Sequence, residues 1–211
     1  MSESKIYVGM DVHKDSITIV AILPGQQEPE PAIKLPHDFQ KVRRYFDRLS
    51  KKGKIAACYE ASGAGFVLQR AMTAWGHSCE VVAPSLIPTR PGDRRKTDSR
   101  DACGLARSYR AGDLTPVRIP EESEERVRDL VRCRGAMQKF LISTRHQVTK
   151  FLARRGLVYR ESTRWGTKHL AWLSKLRTSG TLLEQDRVVF DEYLSHLEYV
   201  ELRRVVAGLL V

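Results

Sequence analysis

Asp11, Glu60, Asp98 and Asp101 are the residues of this 211-residue chain whose types and settings could do chemistry. Asp11 falls inside a strand-like stretch in which Ile6, Val8, Met10 and Val12 alternate with Tyr7, Gly9, Asp11 and His13. A carboxylate in mid-strand is costly unless it is paired or coordinated. Glu60 closes another strand, just before Ala61-Ser62-Gly63, and the carboxyl ends of strands are where α/β sheets place ligands. Asp98 and Asp101 stand three apart at the start of a helix and share one face. Four converging carboxylates cannot all stay ionised without cations between them. Hard oxygen donors of this kind suit Mg2+ or Mn2+. Two such ions can activate a nucleophile and stabilise the leaving oxygen in phosphodiester chemistry. Each acid also has a plainer use: Asp98 and Asp101 as a helix cap and its N3 partner, Glu60 as a solvated strand end.

The elements that must position these acids follow from periodicity and punctuation. Residues 6–23 read as a hairpin turning at His13-Lys14-Asp15-Ser16, and a short strand covers 32–35 after a Pro-rich loop. Asp38 reads as the N-cap of a helix to about Lys51, with Phe39, Val42, Phe46 and Leu49 on its apolar face. A buried strand spans 55–60, a helix runs from Ala64 to Trp75 with Gly76 closing it, and a further strand covers 79–83. Strands alternating with helices predict an α/β domain, and the opening hairpin makes its sheet mixed. After a basic loop, a helix starts at Thr97 or Asp98 and ends at Gly112; an extended linker, 114–120, closes a first domain of residues 1–113.

Beyond the linker the chain reads as entirely helical: a basic, coiled-coil-like region over 121–178, then a last helix within 179–211. Leu130, Met137, Thr144 and Phe151 are seven apart, as are Val127, Arg134, Leu141 and Val148, an a/d seam with breaks at Arg134 and Thr144. Such a seam pairs either two copies of the chain or two helices of one copy. Trp165 and Trp172, also seven apart, read as one face of a helix, with base stacking as the less expected use.

Charge points to the partner. Thirty-six basic residues stand against twenty-five acidic ones, for +11. Residues 126–177 hold 14 basic side chains with only Asp129 and Glu161 as acids. A field so concentrated implies a polyanion, most simply nucleic acid. Candidate contacts are Arg94, Arg95, Lys96 and Arg100 beside the helix acids, and Arg145, Lys150, Arg154 and Arg155 in the basic region. Hydrophobic residues at 42% exclude wholesale disorder. No apolar run reaches the roughly 18–20 residues of a membrane span, and the first five residues lack a signal-peptide pattern. A cytoplasmic protein is therefore expected. Four cysteines with no Cys-x-x-Cys pair argue against a disulfide frame or a zinc knuckle. The six histidines show no pair at metal-ligand spacing, and His13 reads as a turn residue.

Gly9-Met10-Asp11-Val12-His13-Lys14, Tyr59-Glu60-Ala61-Ser62-Gly63 and Lys96-Thr97-Asp98-Ser99-Arg100-Asp101-Ala102 occur in that order. This series resembles the DEDD insertion-sequence recombinases, the family that includes the Piv-type DNA invertases. The resemblance implies an RNase H/RuvC-like domain whose mixed sheet carries flanking helices, followed by an all-α coiled-coil-like region. It makes Asp11, Glu60, Asp98 and Asp101 the Mg2+- or Mn2+-binding and catalytic acids. It implies DNA as partner, with an element-encoded guide RNA in at least some members, and homo-oligomers through the helical region. It also implies a later Gly-rich, Ser-containing transposase domain, which Val211 precedes; Ser62, Ser179 and Ser195 have no such motif around them. The expectation is the N-terminal portion of a transposase. The alternative is a catalytically incomplete nucleic-acid-binding remnant or regulator, and a phosphotransferase of the actin-like ATPase fold lacks its second phosphate loop.

Overall fold

In the first strand, β1 (Lys5–Val12), the predicted alternation is realised: Ile6, Val8 and Met10 are fully buried on one face, while Tyr7, Gly9 and Asp11 take the other. The computed structural model describes residues 4–87 and 97–209. β2 (Ser16–Ile22) returns antiparallel to β1, and β3 (Ile33–Pro36) pairs antiparallel to β2. β4 (Lys54–Glu60) and β5 (Ser78–Val82) then add parallel to β1, for a five-stranded mixed sheet of order β3-β2-β1-β4-β5. This is the RNase H-like arrangement expected.

Helices cover both faces. α1 (Phe39–Leu49) is capped by Asp38, whose carboxylate accepts from the Gln40 (2.8 Å) and Lys41 (3.3 Å) amides. Its Val42 and Phe46 join Leu68 and Met72 of α2 (Val67–Ala74) over Val8, Met10, Ile19 and Tyr59. α2 starts three residues later than the sequence suggests, because Gly65 takes a left-handed turn and the Tyr59 hydroxyl donates to its carbonyl (2.9 Å). The opposite face is covered by α3 (Asp98–Ala111), where Ala102 and Ala106 meet Val20 and Ile22, and Leu105 meets Cys58 and Val82.

The stretch read as a linker does structural work at its start. The Ala83 amide donates to the Thr115 carbonyl (3.0 Å), the Val117 amide to that of Val81 (2.8 Å), and Val82 bridges Pro116. Residues 115–117 thus extend the sheet edge, and the first compact unit closes at Ile119. Register with a strand more than thirty positions away carries no local signal.

The second unit, Pro120–Val211, is helical: α4 (Glu122–Ala153), α5 (Thr167–Thr178) and α6 (Glu184–Leu209). Leu141, Val148 and Phe151 of α4 are buried with Phe190, Leu194 and Leu197 of α6. The heptad seam therefore splits. Its second half, including Thr144, packs within the chain, and the buried Thr144 hydroxyl is satisfied by donating to the Phe140 carbonyl (2.9 Å). Its first half, Val127 and Leu130, is exposed.

The two tryptophans do not share a helical face. Trp165 precedes α5 in a left-handed conformation, φ 68°, and its amide donates to His169 Nδ1 (3.0 Å). Beside it His169 stacks on Trp172, with the Tyr159 ring tilted against both. Among the described residues no helix is long and apolar enough to cross a membrane.

Candidate metal centre

Close approach of α3 to the sheet creates the site. A Cβ built on Gly9 would lie 2.2 Å from the Ala102 carbonyl oxygen and 2.4 Å from the Ala106 nitrogen, so only glycine fits beneath the helix. With Ala102 and Ala106 as the facing residues, the helix N-terminus settles over the carboxyl end of β1. Thr97 caps it, its hydroxyl accepting from the Arg100 amide at 3.4 Å. The capping role offered to Asp98 is thus taken by its neighbour, and the Asp98 side chain turns to other partners.

Those partners are His13 and Lys34. The His13 Nε2–H donates to Asp11 Oδ2 at 3.1 Å and stands 3.7 Å from Asp98 Oδ1. The Lys34 ammonium donates to Asp98 Oδ2 at 2.8 Å. One ligand atom from each of Asp11, His13 and Asp98 lies within 4.8 Å of the other two. The Lys34 hydrogen bond, partly opposed by desolvation and reinforced by the ammonium's charge, holds the Asp98 carboxyl below its ordinary range. The same bond raises Lys34.

The sheet register explains the grouping. Asp11 pairs with Thr18 on β2, and Thr18 pairs with Lys34 on β3, so the three stand in one row on the α3 face. The parallel pairing of Met10 with Tyr59, extended by one residue, sets Glu60 beside Asp11. Asp101 stands in the first turn of α3 with Asp98, and neither it nor Glu60 belongs to the set within 4.8 Å. His13 was visible in the sequence as Asp11's i+2 neighbour on one strand face, a signal outweighed by its place at a turn. Lys34 had no local signal, since only the three-strand register and α3 bring it to Asp98. Thr18 is 2% exposed, and its Oγ1 has no hydrogen-bond partner among the described residues.

The basic candidates separate into groups. Arg94, Arg95 and Lys96 lie outside the described residues. Arg100, Lys150 and Arg154 are exposed. Arg145 pairs with Glu201 at 2.7 Å and lies over the Trp165 ring. Arg155 pairs with Asp186 and covers the Phe151 ring, its guanidinium carbon 3.6 Å from the centroid. Arg145 ties α4, and Arg155 the turn that follows it, to α6.

Residues 8–155 match the IS110-type DEDD family, described as transposase. The chain is 44% identical over 135 residues, 64% of its length, to a putative transposase, y4qE, of Sinorhizobium fredii, and covers 35% of that protein. It is 33% identical over 200 residues, 93% of its length, to the transposase for insertion sequence element IS1533 of Leptospira borgpetersenii, covering 57% of it. The chain thus spans between a third and just over half the length of these relatives. Matched over most of its length, through the strand of Asp11, the helix of Asp98 and the first helix of the basic region, the chain belongs to the DEDD family of insertion-sequence transposases.

Proposed function

We propose that this chain provides the divalent-cation centre and part of the nucleic-acid grip of an insertion-sequence transposase acting on element DNA in the cytoplasm. The observation that carries the reading is the convergence of Asp11, His13 and Asp98 within 4.8 Å at the carboxyl end of β1, under a helix that Gly9 admits. The donor set suits Mn2+ or Mg2+: two carboxylates supply hard oxygens, and one imidazole adds a nitrogen that Mn2+ accepts more readily. The orphaned Thr18 hydroxyl, across from Asp11, suits a hydrated ion whose water it could engage.

Asp11 and Asp98 would hold the ion, with His13 completing the set and Glu60 and Asp101 at its flanks. Once bound, such an ion polarises a phosphodiester and the oxygen that attacks or leaves it. The chain's own residues orient. Asp11 is fixed by its strand, the His13 Nε2–H holds the Asp11 carboxylate in place until an ion displaces that proton and takes the nitrogen, and Thr97 leaves the Asp98 carboxylate directed at the centre. Exposed basic residues of the helical unit, Lys150 and Arg154 among them, meet the phosphates of DNA or of a guide RNA, and the exposed first half of the α4 seam pairs copies of the chain.

Calorimetric titration with Mn2+ tests this. The chain should bind saturably, and Asp11→Asn and Asp98→Asn should each weaken binding at least tenfold, as loss of a ligand does. Equal affinity in all three proteins would refute the assignment. A second reading, nucleic-acid binding without chemistry, draws on the 14 basic residues of 126–177; it predicts DNA affinity indifferent to Mn2+ and to both substitutions.

A further inference from the structure

We propose that Lys34 is the resident counter-cation of this centre, exchanged between Asp98 and a phosphate of the bound strand, so that divalent ion and nucleic acid bind with positive coupling. The proposal rests on the metal reading above and adds a role for a residue that is not itself a ligand.

Three observations carry it. First, the ammonium already occupies a carboxylate of the centre: Lys34 Nζ is 2.8 Å from Asp98 Oδ2, on the oxygen that His13 does not approach. A divalent ion drawn to the same carboxylate meets a like charge there, so the two compete. Second, the pair is open to solvent, with 61% of the Lys34 side chain and 39% of that of Asp98 exposed. Exposed ion pairs are weak and readily exchanged. Third, Lys34 reaches the centre from the side. It stands on β3, two strands and about 10 Å from Asp11, and extends past Thr18 along a cleft lined by Thr18, Ala32, Lys34, Thr97, Asp98 and Ser99. Released from Asp98, the ammonium remains in that cleft, beside the ion. A strand whose phosphodiester lies at the centre places a neighbouring phosphate within reach of it.

The sign of the coupling follows. Without nucleic acid, Lys34 opposes the ion. With nucleic acid, the phosphate draws Lys34 off Asp98 and the opposition ends. By reciprocity the ion raises affinity for the strand by the same factor.

The test measures Mn2+ affinity by electron paramagnetic resonance for the wild-type chain, Lys34→Gln and Lys34→Arg, each alone and with a short mixed-sequence single-stranded DNA. Circular dichroism serves as the fold control. The expected result is Mn2+ binding about fivefold tighter in Lys34→Gln than in wild type without DNA. DNA should tighten Mn2+ binding in wild type and in Lys34→Arg, and have much less effect in Lys34→Gln. If Lys34→Gln binds Mn2+ equally or more weakly while wild type binds well, Lys34 merely holds Asp98 in place and the exchange is overturned. If neither wild type nor Lys34→Gln binds Mn2+, the metal reading itself falls, and the exchange with it.

Discussion

Gly9 and Ala102 are in backbone-to-backbone contact: a single added carbon on Gly9 would stand 2.2 Å from the Ala102 carbonyl oxygen. That contact sets the height of α3 above β1 and so the distance between Asp98 and Asp11. Of the three atoms that a Cβ would meet, two are backbone and the third is the Leu105 Cβ, none of them the far end of a flexible side chain, so the helix itself must move.

Gly9→Ala should therefore cost both stability and metal affinity. Overpacking against backbone is expected to destabilise the first unit by about 3 kcal/mol, lowering its melting temperature by about 10 °C. Mn2+ affinity should fall in the same variant, although no ligand has been changed. Thermal denaturation and a Mn2+ titration on one preparation check both effects.

His13→Ala should change which ion is preferred. Its Nε2 lies 3.1 Å from Asp11 Oδ2 and 3.7 Å from Asp98 Oδ1, so it would be the nitrogen donor once an ion displaces its proton. Removing it should weaken Mn2+ binding about tenfold and leave Mg2+, which favours oxygen, less affected. Calorimetry with the two ions gives the ratio; an unchanged Mn2+/Mg2+ preference would remove His13 from the set.

The arginines and lysines of the helical unit should divide by partner. Lys150→Ala and Arg154→Ala should each reduce the slope of log affinity against log salt by about one, with little change in melting temperature. Arg145→Ala and Arg155→Ala remove the ties to Glu201 and Asp186, so they should lower the melting temperature and leave the slope near that of wild type. Fluorescence anisotropy on duplex DNA across a salt series, with thermal melts alongside, separates the two classes.

The helical unit should be acid-labile through His169. This imidazole is buried, accepts from the Trp165 amide at Nδ1, and is held below its ordinary value of 6.5, first by desolvation and then by the Arg164 charge. The unfolded chain takes up a proton that the folded one resists. Stability is therefore retained above pH 6.5 and lost as pH falls through and below that value. His169→Phe keeps an aromatic ring against Tyr159 and Trp172, and should be less stable at pH 7 but flatter in its pH dependence. Urea melts between pH 7 and pH 5 decide.

What could be read from the chain was local. The period-2 alternation of β1, the Asp38 cap and the Gly112 terminator, with its φ of 80°, depend on neighbours in sequence, and each stands where expected. The placement of Asp11 and Asp98 was legible because a mid-strand acid and a helix-start acid have few uses, and the family motifs name both. What escaped was set by register and by helix docking. Lys34 becomes relevant only through β3–β2–β1 pairing, residues 115–117 only through the β5 edge, and the Trp165 turn only through His169. The heptad pattern was real, but periodicity carries no information on which helix fills it, and α6 covers just half of it.

Anomalous diffraction from crystals of the chain equilibrated with Mn2+ would locate the ion itself. The assignment of Asp11 and Asp98 as ligands requires one dominant peak between them, within coordination distance of a carboxylate oxygen of each and near His13 Nε2. A well-ordered centre without such a peak, or Mn2+ bound only elsewhere, would contradict it.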